Sequence, residues 1–312
     1  MKQMLVAVLA ITVITVAGIG GVILFSGDST DGKDTITVTM SWEKDIVDSI
    51  VGDRFNVVSM MGSNVSPHED YSKPSNVKDL YRSVMYFEIG TGVEWEKAFF
   101  DDVSKDIPST VRIVVIGDSI EYVALPNPEG HHHHDDDDDD DDHEESATDA
   151  HIWTSPDILR KVAALITDEV SKIDNEHASE YQANLTDYLK RVDAVDDKMQ
   201  ELASILGTDD RHVMVWHPAW QYLLEQYAER FGTELHMESV EADGEVTPGE
   251  AADIVKEEGC AAIYVSTTDE GYEGRKALEE ADITVHVVNP TADDMLGSIS
   301  GFLDCLMEDA EA

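Results

Sequence analysis

Eight short runs rich in β-branched residues recur along this chain, and helical patterns separate nearly all of them. They are Ile36 to Met40, Asn56 to Met60, Val84 to Ile89 and Arg112 to Ile116, then Val213 to Trp216, Glu234 to Glu238, Ala261 to Val265 and Ile283 to Val288. Such alternation calls for parallel strands, because each return to the sheet needs a helical crossover. Between the two groups of four lies the longest helical pattern. Its apolar residues Tyr181, Leu185, Tyr188, Val192, Val195, Met199, Leu202 and Leu206 recur at three- and four-residue steps. The expected fold is α/β, with two lobes, each a four-stranded, mainly parallel sheet flanked by helices, joined by one long connecting helix. Ser155-Pro156 and Thr247-Pro248-Gly249-Glu250 read as capped helix starts.

The expected boundaries are a membrane segment over 1–26, a tether over 27–34, a first lobe over 35–174, the connecting helix over 175–207 and a second lobe over 208–312. Met4 to Phe25 is almost wholly apolar, and Lys2 is the only charge before Asp28. About 20 such residues span a bilayer, whereas the apolar region of a cleaved secretory signal is shorter. The segment therefore reads as a retained anchor rather than a cleaved signal, with Lys2 inside and everything after Ser26 outside the cytoplasm. No cysteine follows the run to carry a lipid.

The stretch 130–148 interrupts the first lobe with His131, His132, His133 and His134, an unbroken aspartate run from Asp135 to Asp142, and then His143, Glu144 and Glu145. No core can hold it, since adjacent like charges repel and nothing apolar is there to bury. Imidazole and carboxylate together are ligands for divalent transition metals, so the loop reads as a metal collector. Over the whole chain 21 basic residues face 66 acidic ones, a net charge of −45. That balance argues against nucleic acid or an anionic membrane surface as partner.

Seven of the twelve histidines lie outside the loop. His68 in SPHEDY, His151 in DAHIWTSP and His217 in VMVWHPAW all fall in strand-to-helix connections. Open α/β sheets bind ligands there, beyond the carboxyl ends of their strands. His177, His212, His236 and His286 read instead as surface or packing residues. Three imidazoles with an oxygen in the fourth position suit tetrahedral Zn²⁺. The same set also describes a catalytic zinc hydrolase, although no general base or substrate pocket is legible.

At these segments the chain resembles the metal-binding receptors of ABC importers for zinc and manganese. SPHEDYSKPSNVKDL followed by GTGVEWEKAF is similar to the family's first signature. DAHIWTSPDILRKV resembles its Asp-Pro-His-x-Trp segment, with Ala150 in place of proline. HASEYQANLTDYLKRVDAVDDKMQELAS resembles its connecting helix, and VMVWHPAWQYLLEQYAERFG its third histidine segment. The likeness covers the region after the tether, and a His- and acid-rich loop ahead of the second histidine is a feature of the zinc-selective branch.

The resemblance implies a solute-binding protein rather than an enzyme, working outside the cytoplasm as a monomer and delivering metal to an ABC permease. The metal would be zinc, with manganese or ferrous iron as the alternative, held by His68 and His151 from the first lobe and His217 from the second. The family often takes its fourth ligand from a Leu-Asp-Pro-Leu segment, which here reads Val288, Asn289, Pro290 and Thr291. Asparagine in the acidic position leaves Asn289, Asp293, Asp294, Glu69 or water as candidates. Pro67 stands where the zinc branch sometimes has a glutamate. A bridge found in some members implies a disulfide between Cys260 and Cys305, the only cysteines.

Overall fold

A computed structural model describes residues 32–62, 65–68, 74–120, 149–207, 210–233, 235–241 and 246–311. The expected anchor, the His-rich loop and Glu69 lie outside them. Among the described residues no helix is long and apolar enough to cross a membrane.

The first sheet holds β1 (Thr35–Val38), β2 (Asn56–Ser59), β3 (Met85–Glu88) and β4 (Arg112–Val115), in the order β2-β1-β3-β4. The second repeats that order as β6-β5-β7-β8, with β5 (Arg211–Val215), β6 (Leu235–Ser239), β7 (Ala262–Val265) and β8 (Thr284–Val287). Every pairing is parallel. The eight expected runs thus became the eight strands. In this order the chain reverses direction across the sheet between β1 and β3, and again between β5 and β7. A crevice opens at each reversal, beyond the carboxyl ends of the strands.

The first lobe carries α1 (Ser41–Val51), the short α2 (Val77–Leu80), α3 (Glu94–Val103) and α4 (Pro156–Ile173). Then comes α5 (Ala178–Leu206), the expected long connecting helix, 29 residues of it. The second lobe adds α6 (Gln221–Phe231), α7 (Pro248–Glu257), α8 (Glu270–Glu280) and α9 (Met295–Glu311). Both expected caps form: Ser155 Oγ accepts from Ile158 N, and Thr247 with Glu250 closes a capping box.

The connecting helix buries Tyr181, Tyr188, Val192, Val195, Met199, Leu202 and Leu206, the expected stripe less Leu185, which is only partly covered. It packs against α1 and α4 on one side and α9 on the other. One continuous apolar core therefore runs from the first sheet through α5 to Phe302, whose ring stacks on Trp220 at 4.5 Å. A smaller core beneath α7 and α8 gathers Met214, Trp216, Ile263 and Leu278. The lobes are joined through packed hydrocarbon and not through a loose tether, so residues from Lys33 onward form one compact unit.

Candidate metal centre

Each of the three singled-out histidines is positioned by its own local device. His68 follows β2, and its loop is pinned to the start of α3, where Trp95 N donates to Pro67 O at 3.1 Å. His151 precedes a single 3₁₀ turn, Ile152–Thr154, whose Ile152, Trp153 and Thr154 are all fully buried. Ahead of it, Thr91 Oγ1 donates to Ala150 O at 2.9 Å. That hydroxyl is delivered by a turn at Gly90, where φ is 71° and an added Cβ would lie 2.2 Å from Val115 Cγ1. His217 follows β5, and on the next strand over Ser239 Oγ donates to Trp216 O at 2.9 Å.

The structure brings these three together. Their ring centroids form a near-equilateral triangle with sides of 5.2, 4.9 and 5.2 Å. Nε2 of His151 lies 3.1 Å from Nε2 of His68 and 3.3 Å from Nε2 of His217. On the outer side each Nδ1 faces a carboxylate: His68 to Glu94 at 2.7 Å, His151 to Asp149 at 2.6 Å and His217 to Glu241 at 3.0 Å. A carboxylate only accepts, so the ring N–H resides on Nδ1 and the Nε2 lone pairs turn inward. Three lone pairs converging with no proton between them repel one another, and a cation among them turns repulsion into coordination. Tetrahedral ligation at 2.0–2.1 Å sets nitrogens about 3.3 Å apart, close to the separations found. Among the described residues no carboxylate or thiol joins the three nitrogens at that spacing.

The electrostatics suit a cation. Burial, and then the neighbouring imidazoles of His151 and His217, hold His68 below its usual pKa, while Glu94 pulls the other way. His68 is thus kept neutral, the form that ligates. The cleft is further lined by Ser66, Thr268, Asp269, Pro290 and Thr291. Burial pushes Asp269 up to about 6, against the Ser266 N–H and the neighbouring His217 ring, with Glu241 adding to the rise.

Of the other candidate residues, Asn289 turns its Oδ1 to Thr291, accepting from N at 2.8 Å and from Oγ1 at 2.9 Å. Asp294 pairs with Arg191 at 3.1 Å and accepts from Gly297 N, and Asp293 is exposed. Neither aspartate lines the cleft. Asp269, which does, went unnoticed in the sequence although Ser266-Thr267-Thr268-Asp269 follows β7 directly. Its position beyond a strand end was the available signal. Glu94, Asp149 and Glu241 were missed as well. Of the remaining histidines, His177 pairs with Asp174, His212 with Glu238 and His286 with Asp309.

The disulfide expected between Cys260 and Cys305 is not formed; both are free thiols. Each sulfur has its own polar neighbours instead. Cys260 Sγ lies 4.0 Å from the His212 carbonyl and 3.9 Å from that of Glu258, while Cys305 bonds the His286 ring.

Two α/β lobes with inward-facing side chains from both at their common cleft define a two-lobed solute-binding protein. Residues 36–311 match the family described as zinc-uptake complex component A, periplasmic, and the chain belongs to it. A relative from Halalkalibacterium halodurans named manganese-binding lipoprotein MntA is 24% identical over 248 residues, 78% of this chain and 74% of its own. Zinc-binding lipoprotein AdcA of Streptococcus pneumoniae is 22% identical over 264 residues, 83% of this chain and 50% of its own. Among solved structures, a zinc-bound ZnuA lacking residues 138–173 superposes with a TM-score of 0.71 at 21% identity, over 90% of this chain and 99% of that one. The protein is thus a metal-binding component of a metal-uptake system, acting outside the cytoplasm and not an enzyme, which sets the hydrolase alternative aside.

Proposed function

We propose that the protein captures Zn²⁺ between its lobes on Nε2 of His68, His151 and His217 and hands the ion to an ABC permease. The observation that supports this most directly is the convergence of three Nε2 atoms while every Nδ1 is held by a carboxylate. Second-sphere carboxylates of this kind fix the ring tautomer and raise ligand basicity. Relatives carry both zinc and manganese in their names. A nitrogen-dominated set favours zinc, because the harder manganese ion prefers oxygen. The fourth position falls to an oxygen from Asp269 on the cleft wall or from water. The His131–His143 loop collects metal weakly and reversibly, and the N-terminal segment holds a monomer at the membrane surface.

Elemental analysis with native mass spectrometry, after loading with equimolar zinc and manganese, tests the reading. One zinc ion should survive dialysis and should be lost in His68→Ala, His151→Ala or His217→Ala, but not in His177→Ala. A thousandfold excess of metal over Kd stabilises the folded state by about 4 kcal/mol, so zinc should raise Tm on the order of 10 °C. Retention of manganese in preference to zinc, or loss of the ion in His177→Ala alone, would overturn it.

A further inference from the structure

A second group of donor atoms lies beside β5 and β6 of the second sheet. His212 is in β5, Glu238 in β6, and Glu258 directly follows α7. One donor atom from each lies within 4.8 Å of the others. His212 Nδ1 is 3.0 Å from Glu238 Oε1. His236 stands opposite His212 in the parallel register, with the rings 5.4 Å apart, and Cys260 Sγ borders the group 3.9 Å from the Glu258 carbonyl. His217 stands five positions after His212 and two beyond the end of β5, roughly 16 Å away at the rise of a strand. The two groups therefore cannot share an ion.

An exposed His–Glu pair is ordinary and contributes about 0–1 kcal/mol. A second carboxylate beside it is less ordinary. Among the described residues no lysine or arginine pairs with Glu238 or Glu258, so two like charges converge on one imidazole without a cationic side chain to offset them. The body around them is acidic too, in a chain of net charge −45. A divalent ion would remove that repulsion. Tetrahedral metal–nitrogen and metal–oxygen bonds of 2.0–2.2 Å put donors about 3.3–3.6 Å apart, so these side chains, whose donor atoms lie within 4.8 Å of one another, need to close by up to about 1.5 Å.

We infer that His212, Glu238 and Glu258 form a second, peripheral site for a borderline divalent transition cation, outside the cleft. With one nitrogen and two carboxylate oxygens, it should bind zinc more weakly than three imidazoles do and discriminate less against harder ions.

The test is ¹¹³Cd NMR of the full chain loaded with Cd²⁺, since the shift reports the donor set and each slowly exchanging site gives its own line. One resonance should vanish in both His212→Ala and Glu258→Gln, persist in His217→Ala, and correspond to the loss of one bound equivalent. Glu258→Gln is an exposed change just beyond a helix end, so it still decides the matter if His212→Ala folds poorly. Spectra unchanged by both substitutions, or a line that also disappears in His217→Ala, would overturn the inference. Neither outcome depends on the cleft site holding zinc.

Discussion

The indole N–H of Trp153 donates to the carbonyl of Pro290 at 2.6 Å, tying the turn after His151 in one lobe to the segment after β8 in the other. Trp153 is fully buried and stacks on Trp42, with ring centroids 5.8 Å apart. Tyr222 OH adds a second tie, donating to the Asp149 carbonyl at 2.8 Å, and Ser155 Oγ a third, donating to Gln226 Oε1 at 2.5 Å. All three cluster around His151. The most buried imidazole of the centre is thus held by both lobes at once.

Trp153→Phe keeps most of the ring volume but leaves a buried carbonyl unpaired. A buried acceptor without its donor costs about 1–3 kcal/mol, and urea denaturation should show a loss in that range. A loss under half a kcal/mol would mean that Pro290 O finds water readily and that the tie is incidental.

The carboxylates behind the imidazoles should differ in weight. Asp149 is 1% exposed and its Oδ1 accepts from both Nδ1 and N of His151, whereas the Glu94 side chain is 65% exposed. Asp149→Asn should weaken zinc binding about 10–100-fold, the usual cost of losing an outer-sphere partner. Glu94→Gln should cost less, because solvent screens an exposed pair. Competition titrations against a chelator would rank them, and the reverse order would show that burial does not govern their effect.

Asp269→Asn separates an oxygen ligand from a mere neighbour. If the carboxylate reaches the ion, its loss should lower manganese affinity by a larger factor than zinc affinity, since the harder ion relies more on anionic oxygen. Equal factors for the two metals would reduce Asp269 to a contributor to the local field.

His286 supplies a pH-dependent contribution far from the cleft. Hydrogen bonds to Asp309 and to Cys305, and then the charges of those groups, push it up to about 10 against the opposing effect of burial. A histidine whose folded pKa is raised contributes stability that is fully present below its unfolded value and is lost as pH rises through the folded one. The stability gap between the parent and His286→Gln should therefore be widest near pH 6, shrink steadily above about 6.5, and close above about 10. Urea midpoints across that range would check the sign. A gap that widens with pH contradicts it.

Much of the architecture could be read before any coordinates. Val57, Val114, Val213 and Ile263 announce strands because β-branched side chains suit a pleated, half-buried surface. Ser155 and Thr247 announce helix starts because a hydroxyl one residue ahead of proline satisfies a free backbone N–H. The centre was legible only in part. His68, His151 and His217 stood out by their place in strand-to-helix loops, but Glu94 and Glu241 lie 26 and 24 residues from the imidazoles they orient. Nothing in local spacing links them. Asn289 shows the limit from the other side: its position in the chain made it one of several candidates for the fourth ligand, and only the fold shows its amide oxygen accepting from Thr291.

By itself the sequence determined the alternation of strands and helices, the apolar stripe of the connecting helix, and the place of His68, His151 and His217 in strand-to-helix connections. Those are matters of local preference and periodicity, written in consecutive residues. Only the tertiary structure decided that the three Nε2 atoms meet within 3.1–3.3 Å of His151, that each ring is turned by its own carboxylate, and that Asp269 shares their cleft. Those relations arise where the strand ends of two separate sheets are packed across one core, and close approach between chain-distant atoms is set by that packing.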